Sequence, residues 1–260
     1  MVKTISTIIE KDLRLKEEYL RQNPDYRKRE ELYHQHKAGA YIKDLVYGAN
    51  DGIITTFAVV AGATGASLSP MIVIILGFAN LFADGLSMGA GNYLGIKSEQ
   101  DYQKAQRKKE EWEIDHLRNL EVGEIRDIYA ERGFGGKDLE NAVAITIADR
   151  KRWVDVMMKD EMGIIEDVKV GPLKHGLATF LAFVLAGLVP LLAYLFPSGG
   201  DATFKVSLFL TALTLFVIGA LRSRVTLVGW WRGGTEMLLI GSGAAGAAYF
   251  IGYFIEKLVG

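Results

Sequence analysis

Acidic and amide side chains recur at helical spacing inside a part of the chain that has no basic residue. Residues 44–96 contain no lysine or arginine, although 23% of the whole chain is charged. This stretch holds two apolar runs, each long enough for the ~20 residues that cross a bilayer. Asp44 and Asp51 lie two turns apart and share a face of the first run, while Asn80 and Asp84 lie one turn apart in the second. A carboxylate at mid-bilayer costs on the order of 2.5–3.5 kcal/mol, so we expect these groups to have a function.

The residue types in this stretch indicate metal chemistry. Met88 follows Asp84 by a further turn, so two facing helices would present carboxylates, amides and one thioether to a common axis. Carboxylate and amide oxygens suit hard or borderline divalent cations, whereas a thioether favours softer transition metals. The pattern predicts a path for Fe²⁺, Mn²⁺ or a related ion, rather than Na⁺ or Ca²⁺, formed by Asp44, Asp51, Asn80, Asp84 and Met88. The structural alternative is that Asp44 lies at the membrane interface and Met88 fills space in a core.

A second group of possible ligands lies in the charged segment that follows. Glu99, Glu110 and Glu113 fall within a narrow arc of one long polar helix, and form one carboxylate face. Further on, Met157, Met158 and Glu161 share another face. Two such helices packed together would offer oxygen and thioether ligands to a divalent metal. The alternative for the first face is a solvated helix, because helices this rich in glutamate and lysine are usually just solvated. Glu113-x-x-His116 also fits one ligand pair of a di-iron helical bundle, although such sites need two copies of this motif and two further glutamates.

The elements that must position these groups are helices. We predict an all-α integral membrane protein with five transmembrane helices and a helical cytoplasmic metal-binding insert between the second and third. The predicted spans are 44–66, 70–95, 173–196, 203–221 and 234–255. The predicted domains are N-terminal amphipathic helices at 1–43, the first two spans at 44–96, the insert at 97–172 and the last three spans at 173–260.

Basic residues set the expected orientation. The N-terminal block carries ten lysines and arginines, and 222–232 carries three arginines and no acid, which places both in the cytoplasm by the positive-inside rule. The insert is then cytoplasmic as well, and the C-terminus lies on the opposite side. We expect a multi-pass protein of the plasma (inner) membrane in a prokaryote or of the vacuolar membrane in a eukaryote.

Several function classes are not indicated. The chain has no cysteine, which excludes thiolate metal sites and disulfides. It has no Gly-x-x-x-x-Gly-Lys phosphate loop and no evident nucleophile with a base, so we expect neither ATP-driven transport nor an enzyme. No prosthetic group and no nucleic-acid partner are expected. The expected partners are metal ions, protons and the lipid bilayer.

Four segments together resemble a known family. DLVYGANDGIITTFAVVAGATGA, ADGLSMGAGNYLGIKSEQDY, VMMKDEMGI and GLVPLL are similar to the corresponding parts of the vacuolar iron transporter family. The resemblance extends from about residue 38 to the end of the chain. It implies a five-span homodimer with its path at or near the subunit interface. It also implies export of Fe²⁺, and often Mn²⁺, from the cytosol in exchange for protons.

The resemblance also assigns roles to individual positions. Asp51 and Met88 match the transmembrane metal path, and Asp44 matches an acidic residue near its cytoplasmic mouth. Some members have glutamate where this chain has Ala40 and Asn80, so Asp84 is a candidate replacement for a path carboxylate. The positions that match ligands of the soluble domain are Glu99, Glu110, Glu113, Met157, Met158 and Glu161. The alternative function is a membrane-anchored metal buffer or sensor that transports nothing.

Overall fold

A computed structural model describes residues 12, 14–23, 36–165, 171–196, 201–226 and 228–259. Within these residues the regular secondary structure is helical. Residues 14–22 are helical, as the amphipathic N-terminal pattern predicts. The second amphipathic helix predicted around Leu32 and Tyr33 lies outside the described residues. The elements that follow are α1 (His36–Gly65), α2 (Pro70–His116), α3 (Arg118–Glu131), α4 (Gly136–Ile147), α5 (Arg150–Val156), a π-helical turn (Met157–Glu161), α6 (Pro172–Leu195), α7 (Asp201–Thr226) and α8 (Trp230–Val259).

Five of these helices are long and apolar enough to cross a membrane, which confirms the predicted number of spans. They are Tyr41–Gly65 in α1, α2, α6, Ala202–Ser223 in α7 and Trp230–Leu258 in α8. Helix α2 continues for 47 residues, roughly 70 Å, so its apolar first half runs without a break into the polar helix predicted after it. The turn between α1 and α2 places Ser67 at a φ of 53°, in the left-handed region.

The chain divides into two compact units. The first comprises Met1–Leu86 and Ala178–Gly260 and contains the apolar bundle. Within it α1, α7 and α8 pack against one another, and α6 packs on α1. A Cβ atom at Gly52 would lie 2.2 Å from the carbonyl oxygen of Phe183, and one at Gly48 would lie 2.4 Å from that of Thr179. Glycine therefore permits direct contact between the backbones of α1 and α6, as small residues do in membrane bundles.

These contacts show which glycine pairs hold the chain together. The Gly48-x-x-x-Gly52 pair meets α6 of the same chain, and Gly85 meets the side chains of Phe180 and Phe183. At Gly91 and Gly95, by contrast, an added Cβ would meet no described atom within 4 Å. The first pair is thus an internal packing motif, whereas the second has no packing role inside the described chain.

The second unit, Ser87–Leu177, contains the charged insert. Its apolar core consists of Ile114, Ile125, Val143, Trp153, Val154, Met157 and Met158. Ion pairs connect its helices at the surface: Arg107 of α2 pairs with Asp155 of α5, and Arg150 pairs with Asp115 at 2.8 Å. The side chain of Asp149 caps α5 by accepting a hydrogen bond from the amide of Arg152, which favours helix initiation there. The insert therefore has its own hydrophobic core.

Candidate metal sites

The first candidate site is a pair of carboxylates within the apolar bundle. Asp51 on α1 is half-buried, and the carboxylate of Asp84 on α2 lies close enough to interact with it electrostatically. The hydroxyl of Thr55 donates to the backbone carbonyl oxygen of Asp51 at 2.8 Å and therefore does not bind the side-chain carboxylate of Asp51. Two like charges in a medium of low dielectric repel strongly unless a proton or a cation lies between them. The pair is therefore suited to hold a proton or a divalent ion.

The other predicted path residues lie on the same two helices. Asp44 is 5% exposed, two turns before Asp51 on α1. Asn80 lies one turn before Asp84, and its amide nitrogen is buried with no hydrogen-bond partner among the described residues. Met88 is partly buried, four residues after Asp84 on α2. The structure thus brings Asp51 and Asp84 together, while the roles of Asp44, Asn80 and Met88 stay predictions from the sequence.

The second candidate site is centred on a buried acid pair in the insert. Glu110 of α2 and Glu121 of α3 are 1% and 3% exposed. Burial, a hydrogen bond with Glu121 and the nearby acidic charges together raise the pKa of Glu110 to about 8. Burial also raises the pKa of Glu121, while the hydrogen bond from Glu110 opposes that rise. Glu110 therefore holds the proton near neutral pH and donates it to the Glu121 carboxylate.

Three further carboxylates surround this pair. Glu113, Glu124 and Glu161 all act electrostatically on it or on one another. The pKa of Glu161 is raised by its burial and by the charges of Glu124 and Glu113, and lowered in part by Lys109. Lys109 forms an ion pair with Glu113 at 3.0 Å. We call these five residues, Glu110, Glu113, Glu121, Glu124 and Glu161, the carboxylate cluster.

The remaining predicted ligands differ in their surroundings. Glu99 is exposed, contacts Gln103 at 3.5 Å and lies roughly 16 Å along the axis of α2 from Glu110, so it is not brought to the cluster. Met157 and Met158 are 0% and 2% exposed and belong to the apolar core of the insert. They lie in a π-helical turn with Glu161 rather than on one face of an α-helix. Such turns occur frequently at functional sites.

His116 is not part of the carboxylate cluster. Its ring stacks on Trp112 with centroids 4.5 Å apart, and Nδ1 lies 2.8 Å from the carbonyl oxygen of that residue. The di-iron interpretation of Glu113-x-x-His116 therefore gains no support from this arrangement.

The carboxylate cluster is not preorganised around an ion. Among the described residues, no three His, Asp or Glu side chains already converge at metal-binding distance. One oxygen each of Glu110 and Glu121 is buried and has no hydrogen-bond partner in the described part of the chain. Buried acceptors of this kind are costly unless a proton or a cation satisfies them. The donor set, all carboxylate oxygens, suits a hard or borderline divalent cation.

Two members of the cluster were not identified from the sequence. Glu121 and Glu124 lie on α3, after the break between α2 and α3 at Leu117. A signal was present, because the spacing Glu-x-x-Glu at 110 and 113 is repeated eleven residues later at 121 and 124. Helical periodicity does not extend across a break between helices, so only the packing of α3 shows that the two pairs belong together.

Five apolar helices of spanning length, acidic groups within them and a charged helical insert define a multi-pass membrane protein with candidate metal sites. The chain belongs to the VIT family, whose model matches residues 42–253. It is similar to the vacuolar iron transporter of Toxoplasma gondii, with 34% identity over 236 residues, covering 87% of this chain and 78% of that protein. The vacuolar iron transporter of Plasmodium falciparum is 38% identical over 194 residues, covering 71% of each chain. Vacuolar iron transporter 1 of Arabidopsis thaliana is 32% identical over 220 residues, covering 84% of this chain and 88% of that protein.

Proposed function

We propose that the protein transports divalent transition metals, Fe²⁺ and also Mn²⁺, out of the cytosol in exchange for protons. The observation that carries the proposal is the proximity of the Asp51 and Asp84 carboxylates within helices of membrane-spanning length. Membership of the VIT family and the names of its relatives support iron as a substrate. Transport requires polar groups inside the spans, where an ionisable residue indicates an ion or proton pathway.

Proton exchange follows from the chemistry of the ligands. A carboxylate binds a metal only when it is ionised, so binding at a protonated site releases a proton. In this mechanism Asp51 and Asp84 alternate between a metal-bound state and a proton-bound state. A proton gradient then drives metal movement without ATP. Asp84 supplies the second carboxylate that Asn80 cannot provide, Asp44 receives the ion from the cytoplasm, and Met88 adds a thioether ligand.

The insert collects the metal in this proposal. The carboxylate cluster offers five acidic side chains, and buried oxygens of Glu110 and Glu121 lack hydrogen-bond partners among the described residues. Metal binding there raises the local supply of ions on the cytoplasmic side. Met157 and Met158 are proposed as additional thioether ligands, reached by a rearrangement of the π-helical turn. Glu99 stays a proposed ligand on the exposed part of α2, apart from the cluster.

The proposed topology follows from the distribution of basic residues. The N-terminus and the insert face the cytoplasm, and the C-terminus lies on the other side of the membrane. The working unit is a homodimer in the plasma or vacuolar membrane, and its partners are metal ions, protons and lipid. The protein is not an enzyme and needs no prosthetic group or nucleic acid.

A metal buffer or sensor is the second candidate function. It is favoured by one observation, that the carboxylate cluster lies within a unit that has its own apolar core. Such a protein would bind metal through Glu113 and its neighbours and would not need Asp51.

Metal uptake into proteoliposomes separates the two functions. The full-length protein is reconstituted with an imposed pH gradient, and entry of ⁵⁵Fe²⁺ and Mn²⁺ is followed for the wild type, Asp51→Asn and Glu113→Gln. Asp127→Asn, an exposed acid of the insert, serves as the control. A transporter loses uptake in Asp51→Asn but retains metal binding. A buffer or sensor shows no uptake in any variant, yet loses binding in Glu113→Gln.

A further inference from the structure

An ion pair joins the π-helical turn of the insert to the end of α3. The guanidinium of Arg132, the residue that follows α3, contacts the carboxylate of Asp160 in the turn. The side chain of Asp160 is only 12% exposed. A carboxylate that is largely removed from water depends on its partner, because breaking such a pair leaves a buried charge without compensation. We call this contact the Arg132–Asp160 pair.

Arg132 is held in place by contacts on its own side of the pair. The next residue, Gly133, adopts a φ of 89°, in the left-handed region, and its amide donates to the carbonyl oxygen of Ala130, which ends α3 at this point. The guanidinium lies 5.9 Å from the centre of the Tyr129 ring, within the range of a cation–π contact. The hydroxyl of Tyr129 lies 2.8 Å from that of Thr146 in α4. Arg132 is therefore fixed to the part of the insert that α3 and α4 form.

The same turn carries a member of the carboxylate cluster. Glu161 directly follows Asp160 in the turn. The negative charges of Glu124 on α3 and Glu113 on α2 act on Glu161, and the charge of Lys109 offsets part of their effect. Like charges repel, so the two glutamates push Glu161 away from α2 and α3 when no metal is bound. The ion pair one residue earlier attracts the same segment toward α3 and therefore opposes this displacement.

We propose that Arg132 and Asp160 are positioning residues, which hold Glu161 where it can bind a divalent metal together with the rest of the carboxylate cluster. Neither residue binds the metal itself. The pair acts on the end of the turn that carries Glu161, whereas Met157 and Met158 lie at its other end. This inference rests on the proposed metal binding of the carboxylate cluster, and it does not depend on transport through the spans.

Positioning and simple charge effects predict opposite results for Arg132. Removing its positive charge should, through the electrostatic field alone, strengthen the binding of a nearby cation, whereas removing the negative charge of Asp160 should weaken it. If the pair positions Glu161, both substitutions weaken binding, because either one breaks the same contact. Loss of a residue that orients a metal ligand typically lowers metal affinity about 10- to 100-fold. We expect the lower end of this range, because the pair acts on Glu161 through the backbone of the turn.

Isothermal titration of the full-length protein in detergent with Mn²⁺ tests this proposal. Arg132→Gln and Asp160→Asn should each weaken the affinity of the carboxylate cluster about tenfold without changing the number of ions bound. The double variant Arg132→Gln/Asp160→Asn should lose no more affinity than either single variant, because the two residues act through one contact. Arg132→Lys retains the positive charge and should recover part of the affinity.

Arg126→Gln is the matched control. Arg126 also lies on α3, but its Nη2 atom is 2.8 Å from Oε2 of Glu140, so this ion pair joins α3 to α4 and not to the π-helical turn. The control variant removes the same charge from the same helix and should not weaken Mn²⁺ binding. An unfolded insert would bind fewer ions instead of the same number more weakly. Where Arg132→Gln lowers the number of ions bound, Arg132→Lys is compared with Arg126→Lys instead, and Arg132→Lys must still lose more affinity.

Two results would overturn the positioning role and leave the cluster as a metal site. One is an affinity in Arg132→Gln that equals or exceeds that of the wild type. The other is an equal loss of affinity in Arg126→Gln and Arg132→Gln. Absence of Mn²⁺ binding in the wild type would contradict the proposed metal site itself, and this inference with it.

Discussion

The buried acid pair of the insert leads us to expect metal binding that depends steeply on pH. With a pKa of about 8, Glu110 is roughly nine-tenths protonated at pH 7. A Mn²⁺ ion that takes Glu110 as a ligand must displace this proton, so binding should release about 0.9 protons at pH 7 and about 0.1 at pH 9 from this residue. The raised pKa values of Glu121 and Glu161 add to the release.

The size of the effect follows from the same value. Between pH 8 and pH 6 the cost of ionising Glu110 lowers the apparent affinity on the order of fiftyfold, or about 2 kcal/mol. Isothermal titration of the full-length protein with Mn²⁺, in two buffers of different ionisation enthalpy, measures both the affinity and the number of protons released.

The variant Glu110→Gln isolates the cause. Glutamine retains the shape of the protonated acid and can still donate to Glu121, so the insert should remain folded. We expect weaker Mn²⁺ binding at pH 8 and a flatter dependence between pH 6 and pH 8. Glu111→Gln is the matched control, because its carboxylate lies 3.9 Å from Arg107 and from Arg150 instead of in the cluster. Equal effects of the two variants, or a wild-type affinity independent of pH, would refute the reasoning.

The same pair affects the stability of the metal-free insert. The pKa of Glu110 is raised from 4.5 on folding, so the folded state holds a proton that the unfolded state has lost. The metal-free insert should therefore lose stability as the pH rises from about 4.5 to about 8. Glu110→Gln should reduce this loss, as measured by urea unfolding of the full-length protein at several pH values.

Three further predictions concern the spans and the part of α2 that leads into the insert. Gly52→Ala forces a Cβ atom against a backbone carbonyl of α6 and should destabilise the bundle by about 1–3 kcal/mol. Gly91→Ala, in open space, should leave the thermal midpoint in detergent unchanged or higher. Equal thermal midpoints of the two variants would contradict the contact between α1 and α6. Asp84→Asn should reduce Mn²⁺ uptake to the background of empty liposomes, and adding Asn80→Asp should restore part of the uptake. Uptake at the wild-type level in Asp84→Asn would show that Asp84 has no part in the path. Glu99→Gln should lower the number of Mn²⁺ ions bound without changing the affinity of the carboxylate cluster, since Glu99 lies roughly 16 Å from Glu110 along α2. An unchanged number of bound ions would show that Glu99 is not a ligand.

The spans and their polar residues were accessible to sequence reasoning because the bilayer imposes a length and a cost. An uncharged apolar stretch of about 20 residues matches the thickness of the hydrocarbon core, and a carboxylate within it stands out. The five helices and the proximity of Asp51 to Asp84 agree with that reasoning. The spacing Gly48-x-x-x-Gly52 is visible in the sequence and is typical of helix packing in membranes, but spacing alone does not identify α6 as the neighbouring helix.

The ligand set of the insert was only partly accessible. Glu110, Glu113 and Glu161 were selected by spacing and resemblance, while Glu121 and Glu124 were missed because they lie beyond a helix break. Glu99 was included because it shares a helical arc with Glu110, although two residues on one arc can be far apart along the axis. Membership of the carboxylate cluster depends on tertiary packing, and the periodicity of a single helix gives no information about that packing.

The most direct test of the proposed function is simultaneous recording of metal entry and proton exit in one proteoliposome preparation. A metal-sensitive dye and a pH-sensitive dye are enclosed in vesicles with an acidic interior, and Mn²⁺ is added outside. Wild-type protein should admit Mn²⁺ while the interior becomes more alkaline, and Asp51→Asn should abolish both signals together. Entry of Mn²⁺ without a change in internal pH would contradict proton exchange, and no entry at all would contradict transport.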